Sequence, residues 1–340
     1  MRRIRYCALL LSAVLVAGAD ATPPVSTPDT LGAMGNLPEP SKGAAPKARV
    51  KRGTPWLLHP QKESAAAQIQ YAFSLYEQGR LRKAGKAYLA LVYAWPDSAE
   101  AADAQLAYAQ ILEKRGNYTK AFDEYQYLID HYAGHFDYLF VVDRQFMIAN
   151  YVMTARRGKV LFLPGFAAPE RALPMLEKIL ENAPSWEKAA HVQFNIGLIH
   201  EQSDRDLELA VAAYELVQNR YGSSEFAAPA AFRAGQCMYR LYLRHPSDEG
   251  ACDAARMTLI QYIRAYPEDD SAPAARNCLR DLDARQAALA LERARYYDRI
   301  LKRPAAALIA YTDCAQRFPA TDQARQARAR MDELKEVTGK

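Results

Sequence analysis

From Glu63 onward, apolar residues recur every three or four positions along the chain, which is the spacing of amphipathic helices. The breaks between the apolar segments are short and contain glycine, proline or asparagine, residues that end helices or form turns. No segment keeps the strict apolar–polar alternation of a half-buried strand. The pattern therefore predicts an all-α domain that spans residues 63–338.

A set of small, aromatic and turn residues recurs along these helices and divides them into pairs. Six of its positions in the first pair reappear 37 residues later in the second pair. The positions are Ala72, Gly79, Leu81, Ala84, Tyr88, Leu91 and Pro96 in the first pair, and Ala109, Gly116, Tyr118, Ala121, Tyr125 and Leu128 in the second. We expect the small residues to let two helices approach closely, Gly79 to supply the positive φ that ends a helix, and Pro96 to stop one.

The pattern of the second helix in each pair recurs four more times. It is found as Ala172, Leu176, Ile179 and Pro184; as Ala210, Tyr214, Val217 and Gly222; as Ala255, Leu259, Tyr262 and Pro267; and as Ala307, Tyr311, Cys314 and Pro319. These repeats predict a tetratricopeptide-type superhelix of about six antiparallel helix pairs. The polar segment 320–338 is predicted as the C-terminal capping helix that such an array requires.

Two places in this array are longer than the repeat demands. One is an insertion over residues 156–169, and the other is a first helix of the sixth pair over residues 272–301, with or without a central break. Added length in a repeat array falls on one face and often serves binding. A tolerated surface loop is the alternative for the insertion.

The N-terminus predicts an export signal over residues 1–21. Three arginines precede an apolar run, Cys7–Ala17, and Ala19-Asp20-Ala21 fits the small-x-small rule for signal peptidase. The run is shorter than the ~20 residues that a membrane-spanning helix needs. We therefore expect cleavage after Ala21, with an uncleaved anchor as the alternative. Ala19 stands where a bacterial lipoprotein would carry its lipid-bearing cysteine, so no lipid anchor is predicted.

Residues 22–62 contain eight prolines mixed with serine, glycine and alanine. Such a segment buries too little apolar surface to offset its ordering entropy, so it is predicted as a flexible leader. The basic portion over 42–52 is interpreted as a solvated spacer in preference to a binding arm.

Charge excludes one class of partner. The formal net charge of the chain is +5, and it falls to +3 when three arginines and one aspartate leave with residues 1–21. The basic residues are spread along the chain, so we predict no nucleic-acid binding.

No cofactor, metal site, small-molecule substrate or catalytic constellation is predicted. His131 and His135 stand four residues apart, but Gly134 intervenes at the expected helix end and no ligand set surrounds them. The segment from Gly79 to Lys86 has the wrong spacing for a phosphate-binding loop and follows no strand. The chain is therefore predicted not to be an enzyme.

Cys237 and Cys252 lie at nearly equal distances from the turn around residues 245–246. On two antiparallel helices they would lie roughly opposite each other. The spacing leaves a disulfide and two buried thiols open as alternatives. Cys278 and Cys314 are expected to be unpaired.

Stacked helix pairs offer a groove lined mainly by the first helix of each pair. The side chains expected to line it are amides, aromatics and charged groups, which suit an extended or helical peptide. They are Gln70, Phe73, Tyr76, Gln110, Glu113, Lys114, Asn195, Leu198, Glu201, Gln236, Tyr239 and Arg240. Ile69 and Leu106 share this face, but we expect them to pack between pairs.

Several segments together resemble the BamD family of outer-membrane β-barrel assembly components. They are residues 84–88 with Trp95-Pro96, residues 171–184, residues 255–267, residues 294–297 and residues 311–319. The resemblance covers residues 63–338. It implies a non-enzymatic scaffold in the periplasm at the inner face of the outer membrane, with peripheral membrane association. Its implied partners are the barrel-forming assembly subunit and nascent outer-membrane proteins. A general cell-envelope adaptor, in division or envelope-complex assembly, is the alternative.

Overall fold

The computed structural model describes residues 58–157, 166–203 and 206–338. Within these ranges the chain forms thirteen α-helices and only two strands, each two residues long. The predicted signal peptide and the leader up to residue 57 lie outside the described residues. Residues 158–165 of the predicted insertion also lie outside them. The chain divides into two compact units at Arg156, and each is described separately.

Five helices form the first unit. They are α1 (Ala65–Glu77), α2 (Leu81–Ala94), α3 (Ala101–Lys114), α4 (Tyr118–His131) and α5 (Tyr138–Thr154). Each helix packs on the next one along the chain, as a stacked array requires. The two short strands are β1 (Arg156–Arg157) and β2 (Phe166–Ala167).

Turn chemistry explains where these helices begin and end. The Ser64 hydroxyl accepts a hydrogen bond from the Ala67 N–H at 3.3 Å and so caps the start of α1. Gly79 and Gly116 follow α1 and α3 with φ of 71° and 73°, a region that costs other residues more. Helix α2 ends at Ala94, two residues before Pro96. The predicted roles of Gly79 and Pro96 are confirmed.

Buried glutamines tie the two helices of a pair together. The Gln68 side chain donates to the Ala87 carbonyl at 3.0 Å, and Gln193 donates in the same way to the Ala213 carbonyl at 3.1 Å. The Gln68 carbonyl oxygen also accepts from the backbone N–H groups of Gln61 and Lys62. The last residues of the predicted leader are therefore held against α1.

Eight helices form the second unit, in which a 3-10 turn (Pro169–Ala172) leads into the first of them. They are α6 (Leu173–Asn182), α7 (Ala189–Gln202), α8 (Leu207–Tyr221), α9 (Ala227–Arg244), α10 (Glu249–Ala265), α11 (Ala272–Arg295), α12 (Pro304–Arg317) and α13 (Asp322–Thr338). Consecutive helices pack on one another, and α13 contacts both α11 and α12. Helix α11 has no central break, and it continues into a π turn over Tyr296–Ile300.

The described residues form thirteen helices, and α1 packs with α2, α3 with α4, α7 with α8, α9 with α10 and α11 with α12, so the all-α, tetratricopeptide-type architecture is confirmed. The small and aromatic repeat positions form the core of both units. Every alanine, tyrosine, leucine, isoleucine, valine or cysteine assigned to the second-helix pattern is at most 2% exposed.

Of the two alternatives for Cys237 and Cys252, a disulfide or two buried thiols, the structure shows the buried thiols. Cys237 and Cys252 are buried free thiols and form no disulfide. They face different neighbours, because Cys237 packs with Tyr214 and Val217 of α8. Cys252 instead packs in a cluster that includes Leu282 of α11.

Candidate functional site

In the first unit, the predicted groove residues of α1 and α3 lie side by side. The Lys114 ammonium lies 5.2 Å from the centre of the Tyr76 ring and 3.5 Å from its hydroxyl oxygen. Phe73 is half-buried next to these two, one turn earlier on α1, while Gln70 is exposed. Within each unit, we call the surface formed by the first helices of successive pairs the first-helix face.

Glu113 lies on the same face but is engaged inside the protein. Its carboxylate forms an ion pair with Arg144 of α5 and accepts a hydrogen bond from the Tyr125 hydroxyl at 3.0 Å. The Glu113 and Arg144 side chains are only 12% and 16% exposed. Desolvated carboxylates need such partners, so this group braces α3 against α4 and α5 and is not available to a ligand.

The second unit repeats this arrangement around Glu201 of α7. Its carboxylate accepts from the Tyr214 hydroxyl at 2.7 Å and from Arg233 of α9 at 2.9 Å. Arg240, one of the predicted groove residues, approaches the same carboxylate at 3.7 Å. Burial, together with the Glu201 charge, raises the pKa of Tyr214 far above its usual value, so this tyrosine remains a neutral donor.

Two more predicted groove residues of the second unit are engaged in a similar way. The Tyr239 hydroxyl donates to Asp281 of α11 at 2.6 Å. Asn195 is 3% exposed and belongs to the packing of α7. Leu198 and Gln236 are half-buried at the surface of α7 and α9.

The structure therefore sorts the predicted set into two groups. One group is engaged inside the protein and consists of Glu113, Asn195, Glu201 and Tyr239. Gln110 is half-buried, and its side-chain oxygen is enclosed without a hydrogen-bond partner in the described residues. The side chains that reach the surface are Gln70, Phe73, Tyr76 and Lys114 in the first unit, and Leu198, Gln236 and Arg240 in the second. Ile69 is buried, as expected of a packing residue.

A third carboxylate, that of Asp298, has the same kinds of partner as Glu113 and Glu201, and the sequence analysis did not predict it. Asp298 accepts from the Tyr311 hydroxyl at 3.1 Å and from Arg330 of α13 at 2.8 Å. The Arg330 hydrogen bond lowers the pKa of Asp298. We call these three groups the triads: Glu113, Tyr125, Arg144; Glu201, Tyr214, Arg233; and Asp298, Tyr311, Arg330. Their signal in the sequence is an acid followed by tyrosine 12 or 13 residues later and by arginine 31 or 32 residues later.

The chemistry of the first-helix face is that of a binding surface. Among the described residues, no three His, Cys, Asp or Glu side chains are grouped to hold a metal ion. The part of the chain that the structure describes also contains no helix with the length and apolar content to cross a bilayer. In the first unit, the exposed part of the face combines two aromatic rings, an amide and a cation, which suits contact with a polypeptide.

Comparison with known proteins adds a repeat match. A family model of the tetratricopeptide repeat matches residues 103–135, which contain most of α3 and all of α4. No curated protein matches the chain. The chain is similar to the solved structure of YrrB, described as a TPR protein with an unusual peptide-binding site. The identity is 20% and the TM-score 0.31, over 64% of this chain and 94% of that chain.

A second similar structure is a tetratricopeptide repeat protein from Parabacteroides merdae ATCC 43184. Its identity to this chain is 14% and the TM-score is 0.31, over 82% of this chain and 88% of that chain.

The chain thus carries a tetratricopeptide repeat in its second helix pair, within an all-α array of pairs of the same type. Tetratricopeptide arrays are scaffolds for protein–protein interaction and present extended surfaces to their partners.

Proposed function

We propose that this chain is a non-enzymatic scaffold of the bacterial periplasm that binds protein partners during the assembly of outer-membrane β-barrel proteins. The observation that carries the proposal is the first-helix face of the first unit, where Phe73, Tyr76 and Lys114 remain at the surface. The nearby Glu113 carboxylate is instead bound to Arg144 and Tyr125 inside its triad. Aromatic anchors beside a cation are typical of polypeptide recognition.

The cellular setting of the proposal comes from the sequence. The export signal over residues 1–21 supports a periplasmic chain, and the resemblance to the BamD family supports the barrel-forming subunit and nascent outer-membrane proteins as partners. Ala19 in place of the lipid-bearing cysteine supports an unlipidated scaffold whose contact with the outer membrane is peripheral. Mass spectrometry of the mature N-terminus, combined with membrane fractionation, tests this setting. A chain that begins at Thr22 supports it, and a retained Met1 contradicts it.

Capture from envelope extracts tests the partner. The full-length tagged chain should retain the barrel-forming assembly subunit, and the variant Phe73→Ala/Lys114→Glu should retain at least about fivefold less, since it removes an anchor and reverses a charge on one face. Arg264→Glu, an exposed arginine of α10, is the control. Recovery of no barrel-assembly subunit by the wild-type chain would contradict the assembly role. Specific recovery of a division or other envelope complex would favour the general adaptor instead.

A further inference from the structure

A cleft of about 650 Å³ lies in the first unit, away from the first-helix face, between α2, α3 and the start of α4. Its volume is within the range of roughly 300–1,000 Å³ that ligand sites occupy. Apolar groups form the floor and cations surround them. The lining residues are Leu58, Leu89, Tyr108, Leu112, Gly85, Asn117, Arg82, Lys86, Arg115 and Lys120. We call this site the basic cleft.

The floor of the basic cleft is apolar because of how α2 packs on α3. A methyl group on Gly85 would lie 3.5 Å from the Tyr108 ring and 3.4 Å from Ile111. Because glycine has no side chain, it leaves the space beside the Tyr108 ring open. Leu112 is buried beneath, and Leu89 and Leu58 are half-buried at the sides. An apolar side chain placed here would lose water contact on several sides.

The four cations of the cleft are unused within the fold. Arg82, Lys86, Arg115 and Lys120 are exposed, and none of their side chains has an ion pair or hydrogen bond to any residue that the structure describes. No carboxylate lines the cleft among the described residues. Elsewhere the arginines of the triads are matched to acids. Uncompensated like charges around a cavity raise the local concentration of anions, which favours an anionic ligand.

The basic cleft is separate from the first-helix face even though both use α3. At 3.6 residues per turn, Tyr108, Leu112 and Arg115 lie on one side of the helix, and Gln110, Glu113 and Lys114 lie roughly opposite. A ligand in the cleft and a partner on the first-helix face can therefore bind without competing for side chains.

We propose that the basic cleft binds an acidic peptide segment that carries an apolar side chain. The apolar side chain lies on the floor formed by Leu89, Tyr108 and Leu112, and carboxylates on both sides of it reach the surrounding cations. Inorganic phosphate fits this arrangement less well, because it gains nothing from an apolar floor. The cations come from α2, from the end of α3 and from α4, a spread that matches several carboxylates spaced along a chain.

Fluorescence anisotropy with the full-length chain tests the proposal. The probes are three labelled peptides of equal length: an Asp/Glu-rich peptide with a central Leu, its Asn/Gln counterpart, and the acidic peptide with a central Ser. We expect the acidic Leu peptide to bind at least about tenfold more tightly than the neutral one, and several-fold more tightly than the Ser peptide. Equal affinity for the acidic and neutral peptides, or for the Leu and Ser peptides, would overturn the proposal.

Matched variants place the binding in the cleft. Lys86→Glu/Arg115→Glu should weaken the acidic Leu peptide by about tenfold or more, whereas Lys83→Glu/Arg264→Glu, with the same change of net charge at exposed positions outside the cleft, should weaken it by less than about twofold. Circular dichroism verifies that each variant is folded. Equal losses in the two double variants would mean that only net charge matters, and would overturn the site.

Two further measurements distinguish the proposed peptide from other ligands, and the binding in the cleft from the proposed function. Displacement of the peptide by millimolar inorganic phosphate would indicate a small-anion site, and cleft-dependent binding to phosphatidylglycerol vesicles but not to the peptide would indicate a membrane surface. Either result overturns the peptide assignment. The variant Phe73→Ala/Lys114→Glu should leave peptide affinity unchanged, so this inference and the partner capture can fail separately.

Discussion

Gly197 of α7 is the position where one added carbon should disturb the array most. A Cβ atom built there lies 2.4, 2.7 and 2.9 Å from three atoms of the Tyr214 ring, distances that real Cβ atoms do not show. The ring has no free space, because Tyr214 is fully buried and its hydroxyl is held by Glu201. Gly197→Ala therefore forces α7 and α8 apart or pushes the ring away from its hydrogen-bond partner.

The cost follows from three contributions. Overpacking a close-packed core costs about 1–3 kcal/mol. Losing a hydrogen bond to a charged acceptor adds about 1.5–3 kcal/mol. Alanine is a better helix former than glycine, which returns about 1 kcal/mol. We expect the free energy of unfolding to fall by roughly 1.5–5 kcal/mol.

Hydrogen exchange read by mass spectrometry is the suitable assay, because helix pairs in an array open separately and a single unfolding transition is not assured. Peptides from residues 189–221 should lose protection in Gly197→Ala. The matched control is Gly85→Ala, whose new methyl group would lie no closer than 3.4 Å to a neighbour and should leave protection equal or higher. Protection in Gly197→Ala equal to that of the wild type would refute the reasoning. Adding Tyr214→Leu, which removes the ring, should make Gly197→Ala nearly neutral.

Three further predictions concern charge and burial. Arg144→Met leaves the Glu113 carboxylate without its ion pair and should lower the free energy of unfolding by about 3 kcal/mol. The control Arg325→Met, at an exposed ion pair, should change the free energy of unfolding by less than about 1 kcal/mol. Equal effects of the two substitutions in urea titrations would contradict this prediction. Burial raises the pKa of Asp103 to about 6, so the stabilisation from its protonated form is full below about pH 4 and is lost as the pH rises through about 6. Asp103→Asn should therefore stabilise the protein by about 1 kcal/mol at pH 7, with solvent screening included, and change little at pH 4. An equal gain at both pH values would count against the assignment. Burial raises the pKa of the Cys237 thiol to about 12, so native protein should react slowly with a thiol reagent and unfolded protein quickly, and fast native labelling of this residue would contradict its burial.

The fold could be predicted because the repeat positions report packing directly. Ala84, Tyr88 and Leu91 must be small or large according to how closely helices approach, and each is at most 1% exposed. Gly79 was identifiable because few residues tolerate its positive φ. These are local requirements, so a single sequence records them.

The binding surface was only partly predictable, because it depends on which neighbour covers each side chain. Helical register places Glu113 and Glu201 on the first-helix face. It could not indicate that Arg144 and Arg233, from the next pair along, would reach back and occupy their carboxylates. The basic cleft was missed for the same reason, since its cations come from three separate elements.

The triads give the array a direction. In each one the carboxylate and the tyrosine belong to one pair, and the arginine comes from the first helix that follows that pair. Removing helices from the C-terminal side therefore leaves a partly buried carboxylate without its arginine partner. Removing helices from the N-terminal side instead leaves an arginine without its carboxylate, and the long arginine side chain can reach water. The molecule should consequently resist loss of its beginning better than loss of its end. Arg330 makes α13 the last arginine donor in the series, so deletion of this one helix should loosen the pair before it.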